Sequence, residues 1–246
     1  MLGNKQKKYL DAMGIDVWVR RDQPDLHVVD GPVPVTLEAP VTPDPIAASS
    51  APLHTPAGDD VAQMDWAALE ARVAACRLCE LHQSRIQTVF GVGNRSAELL
   101  IIGEAPGADE DRQGEPFVGR AGQLLNAMLQ AIQLSRAEVY IANILKCRPP
   151  QNRDPKPEEA ALCRPYLERQ IELIQPKLIL ALGRIAAQRL LQTEASLAKL
   201  RGQRHVYAAT NTPLLVTYHP AYLLRAPAEK AKAWQDLLYA KQLLGA

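Results

Sequence analysis

A chain of 246 residues, 47% of them hydrophobic, is long enough to bury a full core, and no stretch approaches the roughly twenty apolar residues of a membrane span. The net charge of +1 excludes a strongly polyionic protein but conceals an asymmetry: residues 1–65 hold five Lys and Arg against ten Asp and Glu, and the remainder 23 against 17. The tail is therefore −5 and the body +6, a surplus that suits a polyanionic partner without requiring one.

The opening stretch, MLGNKQKKYLDAMG, is polar and basic and contains no apolar signal run, which predicts a reducing cytoplasm where structural disulfides are rare. Tyr9, Leu10 and Met13 share one helical face, Gly14 is placed to end that turn, and Ile15, Val17 and Val19 alternate with Asp16, Trp18 and Arg20. Residues 1–21 are thus a candidate docking peptide, or else an element packed on the body. Residues 22–64 read as a disordered Pro/Ala-rich linker; eight of the nineteen prolines precede Asp65.

The body, 65–246, opens at Asp65 as an N-cap, with Trp66, Leu69 and Val73 on one helical face. Short apolar runs at 98–103, 139–144, 177–182 and 214–218 have the composition of buried parallel strands. Between them lie helical patterns: Leu124, Leu125, Met128, Leu129 and Ile132 on one face, then a helix opened by Pro157, Glu158 and Glu159. A final helix carries Trp234, Leu237 and Leu238. The predicted fold class is α/β, a doubly wound three-layer α/β/α arrangement around a central, mainly parallel four-stranded sheet.

Ligands of such sheets bind beyond the carboxyl ends of the strands. Those ends carry Gly103-Glu104-Ala105-Pro106-Gly107, Asn143, Gly183 and His219-Pro220, so a carboxylate, a carboxamide and an imidazole are expected to converge on one crevice. The loop after the first strand, GEAPGADEDRQGEPFVGRAGQLL, lacks both G-x-G-x-x-G and G-K-[ST], which disfavours a dinucleotide-binding oxidoreductase and a P-loop NTPase. Phe117, one of only two phenylalanines, is a candidate stacking platform or plain core filler.

The four cysteines fall as Cys76 and Cys79, two residues apart, and Cys147 and Cys163, separated by fifteen. Isolated buried thiols, a zinc site and an iron-sulfur cluster all remain open; the split second pair tilts the choice toward the cluster.

From about Cys76 to Arg225 the chain resembles the family 4 uracil-DNA glycosylases of the uracil-DNA glycosylase superfamily. The resemblance is carried by Cys76-x-x-Cys79, GEAPG, EPFVGRAGQLL, YIANILKCRPPQNR, Cys163 and HPAYLLR. It implies a uracil-DNA glycosylase-like fold, one [4Fe-4S] cluster per chain held by Cys76, Cys79, Cys147 and Cys163, and a monofunctional, monomeric enzyme. Such an enzyme flips deoxyuridine out of single- or double-stranded DNA and hydrolyses its N-glycosidic bond to leave an abasic site.

On that resemblance Phe117, Asn143, Ala105, Gly103 and His219 form the uracil pocket. Asn143 pairs with uracil N3-H and O4, and His219 donates to O2. Glu104 or Glu110 is expected to act on the attacking water, because Ala105 stands where related branches place an aspartate; Glu110 is also a candidate to exclude the thymine methyl. Leu223 is the wedge candidate in the DNA-entering loop. Arg225, Lys146, Arg148, Arg120, Arg153, Arg112 and Arg201 are candidate phosphate contacts. Residues 8–21 are similar to the N-terminus of the clamp-loader psi subunit, which implies docking on the chi subunit and recruitment to the replisome, in a cytoplasmic, nucleoid-associated protein. The rivals are a non-catalytic nucleic-acid-binding module with a structural metal and a glycosylase for other deaminated bases. A covalent-trapping branch is disfavoured because no histidine-bearing basic insertion follows Gly107.

Overall fold

The computed structural model describes residues 58–245, so the candidate docking peptide and most of the proline-rich segment lie outside the described residues. The first elements are a helical turn, α1 (Gly58–Val61), and α2 (Trp66–Ala74). Asp65 caps α2 as its sequence suggests, its carboxylate accepting from Ala68 N at 2.9 Å, and Leu69 and Val73 are fully buried. Val61 packs with them, so the folded body begins before Asp65.

Among the described residues six strands form one sheet in the order β1-β3-β2-β4-β6-β5. The four anticipated runs become β2 (Leu99–Gly103), β3 (Tyr140–Asn143), β4 (Leu178–Leu182) and β6 (Thr212–Thr217), all parallel to one another. Two short antiparallel edges, β1 (Val92–Gly93) and β5 (His205–Tyr207), were not expected; strands of two and three residues leave no alternation to read.

The near-continuous apolar character of the central strands follows from burial on both faces. Leu100, Ile102, Ala142, Ile179, Ala181 and Val216 point to one layer, formed by α5 (Pro157–Ile174), α6 (Arg184–Leu191) and the short α7 (Leu197–Leu200). Leu99, Ile101, Ile141, Leu178, Leu180 and Leu215 point to the other, formed by α4 (Arg120–Ala131) and α9 (Lys230–Leu244). In α9 the buried stripe is Ala233, Asp236, Leu237 and Ala240, while Leu238 is exposed. No helix among the described residues is long and apolar enough to cross a membrane.

From β2 the chain passes to β3 on one side and later to β4 on the other. The crevice at the carboxyl ends of β2 and β4 is therefore the topological switch point of the sheet.

Candidate active site and cysteine cavity

A cleft of about 430 Å³ opens at that switch point. Glu104, Phe117, Asn143 and His219 all line it, so strand-end residues from three different strands and one loop do converge.

The loop after β2 is held by a clamp. It turns into α3 (Ala108–Gln113), and the Glu110 carboxylate accepts from Gly107 N at 3.1 Å, Val118 N at 3.0 Å and Gly119 N at 3.2 Å. Both of its oxygens are thereby used by backbone, which makes Glu110 a positioning group of the loop and a poor general base. Phe117 sits in the left-handed region at φ 55°, a strained position for a bulky residue. Arg136 holds it there, donating to the carbonyls of Phe117 and Pro116. Gly122 completes the fixture, since a Cβ at that position would lie 1.8 Å from the Phe117 carbonyl oxygen.

Asn143 ends β3 and is 2% exposed, yet among the described residues its carboxamide has no hydrogen bond to protein. Asn143 lines the cleft, so its carboxamide is accessible from it. Gly103 makes room for it: a Cβ there would lie 2.4 Å from Asn143 Oδ1 and 2.7 Å from Phe117 Cζ.

His219 is the N-cap of α8 (Pro220–Arg225), and its Nδ1 accepts from Ala221 N at 3.2 Å. That bond occupies the Nδ1 lone pair, so in the neutral ring the proton resides on Nε2, which becomes the available donor. Burial pushes the imidazole down to about 4, the Arg225 guanidinium adding to the effect and Glu110 opposing it. Capping and donation are thus one arrangement rather than alternatives. The Phe117 ring lies 5.5 Å from the imidazole, centroid to centroid, at an angle of 32°.

Glu104 follows β2 directly and is raised to about 7, by burial first and then by Asp154, with Arg184 opposing. Arg184 and Asp154 form an ion pair at 3.0 Å beside it. This pair was not anticipated, although Arg184 follows the strand-end Gly183 and fell within reach of the strand-end rule.

The outer rim corrects several expectations. Leu223 is 1% exposed and packs into the core beneath α8; the exposed apolar side chains of that helix are Tyr222 and Leu224. The reason is helical geometry, which turns Leu223 inward when its neighbours face out. Tyr222 stacks on Tyr218 at 5.2 Å, and Arg201 lies 4.2 Å over the Tyr218 ring. Arg201 itself is half-buried and paired with Asp236 at 2.8 Å, which takes it from the phosphate contacts. Lys146 is also internal: it is 1% exposed and donates to Asn143 O at 3.1 Å and Gln170 Oε1 at 2.6 Å, bracing the end of β3. Arg153 is paired bidentately with Glu159 at 2.6 and 2.9 Å, and Arg112 pairs with Asp109. Arg225 and Arg120 are exposed, and Arg148 is half-buried, bonded to Asn152 at 2.8 Å.

Cys76, Cys79, Cys147 and Cys163 are free thiols that together line a separate, small cavity walled by Val73, Leu81 and Leu145. Arg85 donates to Cys147 Sγ at 3.0 Å, and the Lys146 N–H points to Cys163 Sγ at 3.3 Å. Burial pushes the Cys163 thiol up to about 12, so the sulfur stays protonated in this surrounding. Among the described residues no three His, Cys, Asp or Glu gather as ligands of a single metal ion. Four sulfurs around a cavity, rather than around a point, fit a polynuclear cluster better than lone zinc.

Residues 90–238 match the uracil DNA glycosylase superfamily model. The chain is 45% identical over 181 residues to the type-4 uracil-DNA glycosylase of Archaeoglobus fulgidus, covering 70% of this chain and 90% of that one. It is 44% identical over 155 residues to the type-4 uracil-DNA glycosylase of Thermotoga maritima, covering 63% and 80%. Similarity to the type-5 uracil-DNA glycosylase of Thermus thermophilus falls to 31% over 193 residues, covering 63% and 87%. A cleft that joins a neutral imidazole to an unpaired carboxamide, a cavity of four cysteines, and similarity that covers nine-tenths of a type-4 enzyme agree: the chain belongs to the type-4 uracil-DNA glycosylases of the uracil-DNA glycosylase superfamily.

Proposed function

We propose that this chain is a DNA repair glycosylase that removes uracil from DNA by hydrolysing the N-glycosidic bond. The observation that carries the reading is the pairing of His219, a neutral Nε2–H donor, with the unpaired carboxamide of Asn143 in one cleft. Excision needs the base out of the stack, in a pocket that grips its face and reads its edge. Phe117 supplies the face. Asn143 accepts from uracil N3–H and donates to O4; cytosine reverses both demands, so the amide orientation that serves uracil does not serve cytosine.

As the bond breaks, negative charge develops on the departing uracil and is shared by O2. The Nε2–H of His219 is aimed to stabilise it without a proton having to be gained first. Glu104 is the carboxylate free to orient water toward the sugar, because Glu110 is committed to the loop. Around the cleft, exposed Arg225, Arg120 and half-buried Arg148 are assigned to phosphates. The exposed Tyr222, stacked on Tyr218, replaces Leu223 as the group that fills the vacated stack, with Leu224 beside it.

Cys76, Cys79, Cys147 and Cys163 would hold one [4Fe-4S] cluster. Bound there, it supplies a cross-brace between distant segments; Cys147 lies four residues after Asn143, so the brace supports the strand end that reads the base. Residues 8–21 are proposed to dock on a clamp-loader chi subunit; chi capture that survives Trp18→Ala would remove that proposal.

The reading is tested by offering single-stranded and mismatched duplex oligonucleotides bearing one uracil, cytosine or thymine. Free base released from the uracil substrates alone supports it. Release of none, or of thymine equally, opposes it.

A further inference from the structure

Among the polar side chains of the cysteine cavity that the ligand set does not use are Tyr166 and Arg85. Tyr166 is 2% exposed, and its hydroxyl is buried with no hydrogen-bond partner among the described residues. Its ring packs with Cys76 and Cys163, and the Cys76 thiol and the Arg72 guanidinium are its interacting neighbours. Leaving a buried hydroxyl unpaired costs free energy, and the only new acceptor this cavity would gain is the thiolate and sulfide charge of a cluster.

Arg85 is the second. Its guanidinium donates to Cys147 Sγ at 3.0 Å, to Cys76 O at 2.9 Å and to Ala74 O at 3.2 Å. It therefore joins the Cys76-x-x-Cys79 segment to the Cys147 segment, 62 residues away along the chain from Arg85. A cation hydrogen-bonded to a ligand sulfur in an apolar cavity favours whichever cluster state carries more negative charge, which is the reduced one.

We infer that Arg85 and Tyr166 set the reduction potential of the cluster, by donating to Cys147 and Cys76 respectively and so stabilising the reduced form. The inference rests on the reading that the four cysteines hold an iron-sulfur cluster. Neither residue touches the uracil cleft, so both are positioning residues for the metal centre and not catalytic ones.

The test uses the full-length holoprotein, reduced stepwise with dithionite and redox mediators, and reads the cluster signal by electron paramagnetic resonance. Arg85→Gln and Tyr166→Phe are compared with wild type, with Arg85→Lys as the conservative rescue. Arg85→Gln is expected to lower the reduced-to-oxidised ratio at the wild-type midpoint by about tenfold, equivalent to about 59 mV for one electron. Tyr166→Phe should lower it by about threefold, and Arg85→Lys should restore most of the Arg85 shift. Should Arg85→Gln fail to load iron, Tyr166→Phe carries the test alone.

Midpoints that stay at the wild-type value in Arg85→Gln or Tyr166→Phe of full iron and sulfide content overturn the inference while leaving the cluster assignment standing. Wild-type protein purified anaerobically without iron and sulfide fails the assignment, and the inference falls with it.

Discussion

Replacing His219 by alanine removes both jobs proposed for this ring, and replacing it by asparagine separates them. The Nε2–H donor is lost from a buried site, and a well-aimed donor to a developing anion is worth about 3 kcal/mol of barrier, or roughly two orders of magnitude in rate. The Nδ1 acceptor for Ala221 N is lost as well, and removing an N-cap costs about 1 kcal/mol of stability. His219→Asn retains a capping oxygen but is too short to place its amide where Nε2 stood. Alanine should therefore lose both rate and stability, and asparagine chiefly rate. Single-turnover uracil release and urea denaturation measure the two quantities. Because the imidazole is pushed down to about 4, it stays neutral above about pH 5, and the His219 contribution to rate should be flat from there upward. The linkage has a matching sign: stability is complete above the ordinary value of 6.5 and declines as pH falls toward about 4, where the buried ring must be charged. Alanine within threefold of the wild-type rate, or a rate that rises as a histidine is protonated near pH 6.5, would refute the neutral-donor reasoning.

Glu104 must be ionised to orient water, so single-turnover rates should climb as pH rises through about 7; Asp154→Asn, by removing a raising charge, should move that limb to lower pH. Glu104→Gln should slow release by about 10²- to 10⁴-fold at saturating DNA. Asn143→Asp should weaken uracil excision and narrow the preference for uracil over cytosine, measured as a ratio of single-turnover rates; unchanged uracil release would sink the pairing. Leu223→Ala should cost about 2–5 kcal/mol of stability in a denaturation curve, as a core truncation does, whereas Tyr222→Ala should leave stability nearly unchanged and slow excision from duplex more than from single strands.

Where apolar runs were long, the sequence declared the architecture: β2, β3, β4 and β6 are readable because burial on both faces leaves them almost uninterrupted by polar residues. The edges β1 and β5 are too short to carry a period. The convergence of Glu104, Asn143 and His219 was equally legible, because a parallel sheet delivers its strand ends to one rim. What a side chain does on that rim depends on packing that no linear pattern encodes. Lys146 looked like a cation for phosphate and is instead a buried brace, its ammonium bonded to Gln170 from a helix 24 residues further on. Leu223 and Tyr222 are neighbours in sequence, and only the phase of α8 decides which of them faces outward. Glu110 gave no sign in sequence of being a loop clamp, because its partners, Gly107, Val118 and Gly119, are backbone groups and any residue type provides an N–H.

The central claim is that this cleft hydrolyses the bond between uracil and its sugar. It is tested most directly by incubating the purified protein with an oligonucleotide containing a single uracil, then quantifying free uracil and abasic sites in the same tube. The account expects the two in equal amounts, a strand that stays intact until alkali cuts it at the uracil position, and near-complete loss of both products in His219→Ala. Strand scission without alkali, abasic sites without free uracil, or an unchanged substrate would contradict it.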